Sequence, residues 1–538
     1  MSKRFYLTTA IYYVNGQPHL GHAYEKVITD VMARAHRSLG DEVFFLTGLD
    51  EHGQKVQQAA EAEGKSPQAY CDELAAQWQA FAARLNLTND DFVRTTQPRH
   101  QAVVKALLNK LHAQGDLYKA PYRGWYSWKE ETFLTDKDRL PDGSFDPVWG
   151  EVKELIEENW YFRMGRHQPW LIEHLEANPT FVQPVQRRNE VLGFLKSQTL
   201  EDLCISRPRA RLTWGIPLPF DPEYVNYVWF DALTNYFSIP AALGDPGAVE
   251  SLKGFYEPAP SATPPPSLWP ADVHVIGKDI VKFHAVFWPI MLKAAGIPLP
   301  RQVLVHGWWQ KDGAKMSKTT GNVVDPLAVI DEWGVDAFRY YVVRELDIGP
   351  DGNWTDTGFA SRYQSELANG LGNLVNRSLS MLKRYRAGVV PARSDELKDE
   401  VTARVAEVAS ALREHQLQSA LQLIWAVVNR VNQYVDQTAP FKLAKDPTQA
   451  ARLDEVLYNL VETCRILAIL LAPFLPETAN RIYAQLALPG IPDRFALAAW
   501  GGLASGHTVG EPMPLFPRKD QPAKSTEARP GQAGSSPR

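Results

Sequence analysis

The chain has 538 residues, 45% of them hydrophobic, and a formal net charge of −5. That size buries several cores and predicts about two to four domains, while the negative balance excludes binding of nucleic acid by overall charge and leaves room only for a local basic patch. No stretch of about 18 apolar residues occurs, which excludes a membrane-spanning helix; the N-terminal residues lack the apolar core of a secretory signal, and Cys71, Cys204 and Cys464 stand too far apart for a metal knuckle or a disulfide framework, so a reduced cytoplasm is the expected location.

Residues 4–11 are rich in aromatic and β-branched side chains and read as a buried strand. A helical pattern follows over about 22–39, with Val27, Val31, Ala35 and Leu39 four apart and Gly40 to end it. Residues 43–48 form a second apolar strand. Strand, helix and strand in this order predict a parallel βαβ unit, hence an α/β Rossmann-type sheet with ligands at the carboxyl ends of its strands. His19 and Asp50 fall at such ends.

The pattern breaks between about 116 and 225, where Trp, Tyr, Glu, Arg and prolines crowd together. This stretch is expected to be an insertion between two halves of the sheet, 1–115 and 226–310. The α/β pattern resumes at 227–231, 273–277 and 303–307, with a Pro-rich surface loop over 257–270. A loop-bearing region, 311–365, leads to a helical bundle over 366–512. There Leu367, Leu371, Leu374 and Val375 make one apolar stripe and Leu421, Ile424, Val427, Val428 and Val431 another. Residues 513–538, rich in Pro, Gly, Ser and Lys, are expected to be disordered.

Two short tags carry the chemistry: His19-Leu20-Gly21-His22 and Lys315-Met316-Ser317-Lys318-Thr319. The first opens a helix and the second sits in a Gly-containing loop. His19 and His22, three apart, share one face of the first helical turn, beside the positive end of the helix dipole. Gly21 removes a side chain where a nucleotide must lie against backbone. Lys315 and Lys318 bring positive charge on a loop that Gly313 and Gly321 allow to move. Together these groups can hold a triphosphate from two sides, which points to activation of a carboxylic acid by ATP. Taken singly, the first tag is also an ordinary helix cap and the second an ordinary solvated basic loop.

These tags resemble the HIGH and KMSKS signatures of the class I aminoacyl-tRNA synthetases. Residues 11–16 (Ile-Tyr-Tyr-Val-Asn-Gly), 228–232 (Val-Trp-Phe-Asp-Ala) and 277–284 (Gly-Lys-Asp-Ile-Val-Lys-Phe-His) resemble the methionyl-tRNA synthetases in particular. The resemblance spans about 4–517. It implies an α/β Rossmann-type catalytic domain with an inserted connective domain, followed by an α-helical bundle that binds the anticodon. It also implies ATP-dependent ligation of L-methionine to its tRNA through methionyl-adenylate, with release of AMP and pyrophosphate. Another class I specificity or a non-catalytic tRNA-binding relative are the alternatives. The short insertion disfavours an editing enzyme, and the intact His19, His22, Lys315 and Lys318 disfavour the non-catalytic one.

The resemblance further assigns residues. His19, His22, Lys315 and Lys318 would be catalytic, and Gly21, Glu25, Gly277 and Asp279 would join Lys318 on ATP. Ile11, Tyr13, Trp229, Leu233, Tyr236, Ile280 and His284 would surround the methionine side chain, with Leu233 where a proline is frequent. Asp50 would hold the ammonium. Core packing for Trp229, Tyr236 and Ile280, a helix cap for Asp50 and an exposed helix position for Glu25 are the alternative roles. Mg2+ would accompany ATP on its phosphates. Where relatives carry zinc-knuckle cysteines, Ser127 and Glu130 stand here, so no structural zinc is expected. In the bundle, Asn373 and Arg377 share a helix face and Phe441 takes the place of a stacking Trp. These three would read the anticodon of initiator and elongator methionine tRNAs, unless Asn373 serves an interhelix bond and Phe441 the core. With no appended dimerising module evident, a monomer is expected.

Overall fold

The computed structural model describes residues 3–14, 16–129, 132–134, 136–259, 267–316 and 322–519. Its centre is a six-stranded parallel sheet. The strands are β1 (Arg4–Tyr13), β2 (Glu42–Asp50), β3 (Asp91–Arg94), β6 (Val182–Gln183), β7 (Val273–Gly277) and β8 (Val303–His306), in the spatial order β3-β2-β1-β7-β8-β6. The order reverses between β1 and β7. That switch point opens a crevice beyond their carboxyl ends.

β1 is buried on both faces. Phe5 and Leu7 point to one core and Tyr6 and Ala10 to the other, as the two-residue period of a strand requires. On the first face lies helix α1 (Leu20–Ser38), whose Val27 and Val31 are fully buried. Helices α2 (Pro98–Ala113) and α3 (Val228–Ala242) cover the second face. Residues 227–231, grouped with the strands in the sequence, are a correction: Val228 begins α3. The run is apolar and aromatic because the helix is buried on nearly every side, so its composition carries no strand period.

The insertion is built on an antiparallel pair, β4 (Leu117–Ser127) with β5 (Val152–Phe162), in continuous register from Leu117 opposite Phe162 to Ser127 opposite Val152. The expected boundaries 116–225 need correction too. β6 lies inside them, yet it pairs in parallel with β8 and forms the edge of the main sheet. A two-residue strand offers no periodicity to read.

C-terminal to the sheet, α4 (Val335–Arg344), α5 (Asn373–Arg386), α6 (Leu417–Thr438) and α7 (Ala450–Leu471) carry the core onward into a bundle. Both stripes read from the sequence are buried there. Arg339 on α4 fastens bundle to sheet. Fully buried, it donates to Asp30 Oδ2 of α1 at 2.8 Å and to the carbonyls of Pro473 and Phe474 at 3.1 and 2.9 Å. Burial alone would raise the Asp30 carboxyl; the guanidiniums of Arg339 and Arg34 outweigh it and hold Asp30 below its usual value. Disorder expected from 513 does not hold for the first residues of that stretch. Leu515 and Phe516 are buried, and Pro517 O accepts from the Tyr363 hydroxyl at 2.9 Å; residues 520–538 lie outside the described part. Among the described residues no helix is long and apolar enough to cross a membrane.

One carboxylate ties α1 to the strand ends. β1 carries one extra residue against β2 between Thr8 and Ile11. The amide freed there, Ala10 N, donates to Glu25 Oε1 at 2.9 Å. The Tyr12 hydroxyl donates to the same oxygen at 2.7 Å, and His306 Nε2 stands 2.9 Å from Oε2. Burial pushes the His306 imidazole down, but the hydrogen bond and charge of Glu25 outweigh it and hold its pKa above 6.5. A folded value above the unfolded one means stability fully present below about pH 6.5 and lost as pH rises through the folded value. Urea melts from about pH 5.5 to about 9 should therefore show the largest stability gap between wild type and His306→Gln at acid pH, shrinking upward; a gap that widens with pH contradicts the cationic pair.

Candidate functional site

Beyond the switch point lies a cavity of about 730 Å³. One wall is the end of β1 and the start of α1. His19 is the N-cap of α1; its Nδ1 accepts from Gly21 N at 3.1 Å, while His22 Nδ1 accepts from His19 N at 3.2 Å. The two imidazoles stack at 3.6 Å, and His22 meets the edges of Tyr12 and Trp78 at 4.6 and 4.8 Å. The rings are thus capping groups and cavity lining together. A Cβ on Gly21 would stand 3.1 Å from the His19 ring, so Gly21 keeps that ring close to backbone.

A second wall is apolar. Trp229, Leu233 and Tyr236 lie four and three apart on α3 and line the cavity as one stripe. The Trp229 ring stacks on Phe283 at 3.6 Å. The Tyr236 hydroxyl lies 2.7 Å from His284 Nε2, and His284 Nδ1 donates to Ile280 O at 3.0 Å. That second bond sets the tautomer: Nε2 accepts from Tyr236. Burial above all pushes His284 down to about 4, so a neutral imidazole faces the cavity. Ile11, Tyr13 and Ile280 complete this side, half-buried, and the buried Asp50 stands at its end, opposite Tyr13 in the β1–β2 register.

The third wall follows β7 and β8. A Cβ on Gly277 would stand 2.6 Å from Asp279 Oδ1 and displace that carboxylate, so Gly277 leaves Asp279 its place. Asp279 accepts from Trp308 Nε1 at 3.1 Å. Lys278 pairs with Asp351 at 2.6 Å and lies 4.2 Å over the Trp308 ring. Gly307 is required by close approach: its Cβ would stand 2.0 Å from Pro350 O.

The cavity therefore gathers His19, Gly21, His22, Glu25, Gly277, Asp279, Ile11, Tyr13, Asp50, Trp229, Leu233, Tyr236, Ile280 and His284. Glu25 is buried and bonded three ways, so an exposed helix position is ruled out. Lys315 ends a two-residue hairpin, Trp309–Lys311 with Ala314–Lys315, whose turn residues Asp312 and Gly313 both have positive φ (51° and 77°). Met316, next in the chain, lines the cavity. Lys318 and Gly321 lie outside the described residues. Sequence reasoning missed Tyr12, Lys278, His306, Trp308 and Asp351. The readable signal for His306 and Trp308 was their place just after an apolar strand.

Away from the cavity, Asn373 and Arg377 lie on the first turns of α5, and Arg377 pairs with Asp436 of α6 at 3.2 Å. Phe441 is 46% exposed, which removes core packing as its role. The basic run after Arg377 is largely neutralised: Lys383 pairs with Glu511 and Arg386 with Asp454.

Comparison with known proteins agrees with this arrangement. The family model described as tRNA synthetases class I (M) matches residues 5–141 and 147–379, and that described as the anticodon binding domain of methionyl tRNA ligase matches 386–529. The methionine–tRNA ligase of Rhizobium meliloti is 44% identical over 525 residues, 96% of this chain and 98% of that protein. That of Bacillus subtilis is 41% identical over 556 residues, 99% of this chain and 80% of the other. Mycobacterium tuberculosis methionyl-tRNA synthetase in complex with methionyl-adenylate superposes with a TM-score of 0.87 at 38% identity, covering 96% of this chain and all of that one (100%). With the family models and full-length relatives in agreement over sheet, insertion and bundle, the chain belongs to the class I methionyl-tRNA synthetase family.

Proposed function

We propose that the cavity at the sheet's switch point activates methionine with ATP and transfers it to methionine tRNA. The observation that carries this reading is one hollow shared by paired imidazoles at a helix start, a buried carboxylate and an apolar aromatic wall. Asp50 holds the substrate ammonium as an ion pair. The wall of Trp229, Leu233, Tyr236, Ile11, Tyr13 and Ile280 receives the thioether, whose polarisable sulfur suits aromatic edges. Neutral His284 adds a polar tip without a buried charge.

The methionine carboxylate attacks the α-phosphate, and the bond from that phosphorus to the bridging oxygen breaks to release pyrophosphate. The ribose hydroxyl of the terminal tRNA adenosine then attacks the acyl carbon, loses its proton and releases AMP. Both steps need positioning and charge stabilisation rather than an enzyme nucleophile. His19, His22 and the amides of α1 serve the phosphates from one side. Lys315, at the end of the hairpin, and Lys318 serve the leaving pyrophosphate from the other. Glu25, Gly21, Gly277 and Asp279 shape the adenosine end. Mg2+ is proposed to ride on the phosphates: among the described residues no group of three or more His, Cys, Asp or Glu forms a cage for it.

The bundle is proposed to read the anticodon of initiator and elongator methionine tRNAs through Asn373, Arg377 and Phe441, and the enzyme to work as a cytoplasmic monomer. The insertion is proposed to hold its shape without zinc. In support, Ser127 Oγ donates to Trp149 O at 2.6 Å, and arginines interleave its aromatics: Arg139 lies 4.7 Å over Trp125 and Arg211 4.7 Å over Tyr126.

ATP–pyrophosphate exchange tested with all twenty amino acids should proceed with methionine. Exchange with another amino acid alone, or with none, overturns the reading. His22→Ala should lower the exchange rate about 10²–10³-fold, as expected when one fixed donor to a developing charge is lost. Phe441→Ala should leave exchange unchanged and weaken tRNA binding by about 1–3 kcal/mol in a filter-binding titration, the worth of one stacked base. Metal analysis of the purified protein should find no stoichiometric zinc, and one zinc per chain contradicts the proposed packing.

A further inference from the structure

The two cavity walls that would grip an amino acid come from distant parts of the chain. One is the end of β2, with Asp50; the other is α3, with Trp229, Leu233 and Tyr236. A buried hydrogen-bond chain outside the cavity lining joins them. Asp231 is 1% exposed, His52 4% and His100 fully buried. Asp231 Oδ2 lies 2.6 Å from His52 Nδ1 and Oδ1 lies 2.7 Å from His100 Nε2. His100 Nδ1 in turn meets Ser238 Oγ of the same helix at 2.7 Å.

The spacing gives the chain its meaning. His52 stands two residues after Asp50. Asp231 stands two after Trp229 and two before Leu233. The segment around His52 is held by other bonds as well: Glu51 N donates to Thr95 Oγ1 at 2.9 Å, Arg94 Nε donates to Glu51 Oε1 at 2.6 Å, and Gly53 N donates to Trp214 O at 3.2 Å. Those three bonds fasten the segment to β3, to the chain just after it and to the loop before β-strand residues 217–218. The His52–Asp231 bond fastens it to α3.

A carboxylate placed in a helix core needs a reason, since apolar residues of similar volume fill such positions without a desolvation cost. Directional bonds fix a separation, whereas apolar surfaces slide over one another. Here the fixed separation is the one between the group that holds an ammonium and the surface that receives a side chain. We propose that Asp231 is a positioning residue for amino-acid recognition: through His52 it sets the distance from the Asp50 carboxylate to the Trp229–Leu233–Tyr236 stripe, and so the length of amino acid that fits. The proposal rests on the methionine site described above.

The test is exchange kinetics at varied methionine and varied ATP. Asp231→Asn keeps shape and one acceptor but loses the shared charge. It should raise KM for methionine at least about tenfold while KM for ATP moves less than about twofold, because the nucleotide side is built on α1, β7 and β8. His52→Ala cuts the same link from the other end and should reproduce this split. His52→Asn, which places an amide donor near the Nδ1 position, should restore most of the methionine affinity. Preference for methionine over norvaline, which lacks the thioether sulfur and is one atom shorter, should fall in the two cut variants. A KM rise of equal size for both substrates, or no change in either, overturns the proposal. Asp50→Asn separates the two readings. If it leaves KM for methionine unchanged, the site assignment itself fails; if it raises that KM while Asp231→Asn and His52→Ala do not, the positioning role alone fails.

Discussion

The structure depends on Glu25. Its carboxylate takes the amide that the irregularity in β1 sets free, the hydroxyl of Tyr12 and the imidazole of His306. Three pieces of backbone, the ends of β1 and β8 and the first turns of α1, are thereby pinned to one another. An amide left unpaired at this depth would cost the full desolvation of a buried donor, so the irregularity and the carboxylate require each other. The result is a helix N-terminus aimed into the switch-point crevice, with the His19 and His22 rings stacked on its first turn.

Around this fixed point the cavity walls are carried mainly by buried elements of the sheet and its helices. The apolar wall of the cavity is built from buried elements, and the charge states of its polar groups are set by burial. His284 stays neutral, and His274 behind it, against Tyr236 at 4.3 Å, is likewise pushed far below its ordinary value by burial. Lys315 instead ends a short hairpin outside the sheet. Arg339 adds a second rigid link. By bonding Asp30 of α1 and the carbonyls of Pro473 and Phe474 just after α7, it links the bundle to α1.

Much of this was legible in the residue order. The βαβ unit, the two signature tags and the apolar stripes of the bundle are local patterns, and each has a period or a spacing that survives without coordinates. Readings failed where a segment was short or lacked a period. β6 is two residues long, so its return to the main sheet leaves no trace in sequence. α3 is buried nearly all round, so its start reads as well for strand as for helix. Leu515 and Phe516 sit in polar, proline-rich surroundings, and only the tertiary fold, which sets Phe516 edge-on to Tyr363, buries them.

The sequence by itself determined the chemistry on offer: two imidazoles three apart, lysines on a loop between glycines, and an aromatic set suited to a thioether. Such features follow from residue type and near spacing. Tertiary structure alone decided which of these groups share one hollow, since that depends on contacts across hundreds of residues. It placed His306 281 positions along the chain from Glu25 and yet in hydrogen-bond contact with it, set Asp231 between two histidines, and left Phe441 facing solvent. Long-range pairing has no local period to announce it, because it is selected by the shape and polarity of surfaces that exist only once the sheet has closed.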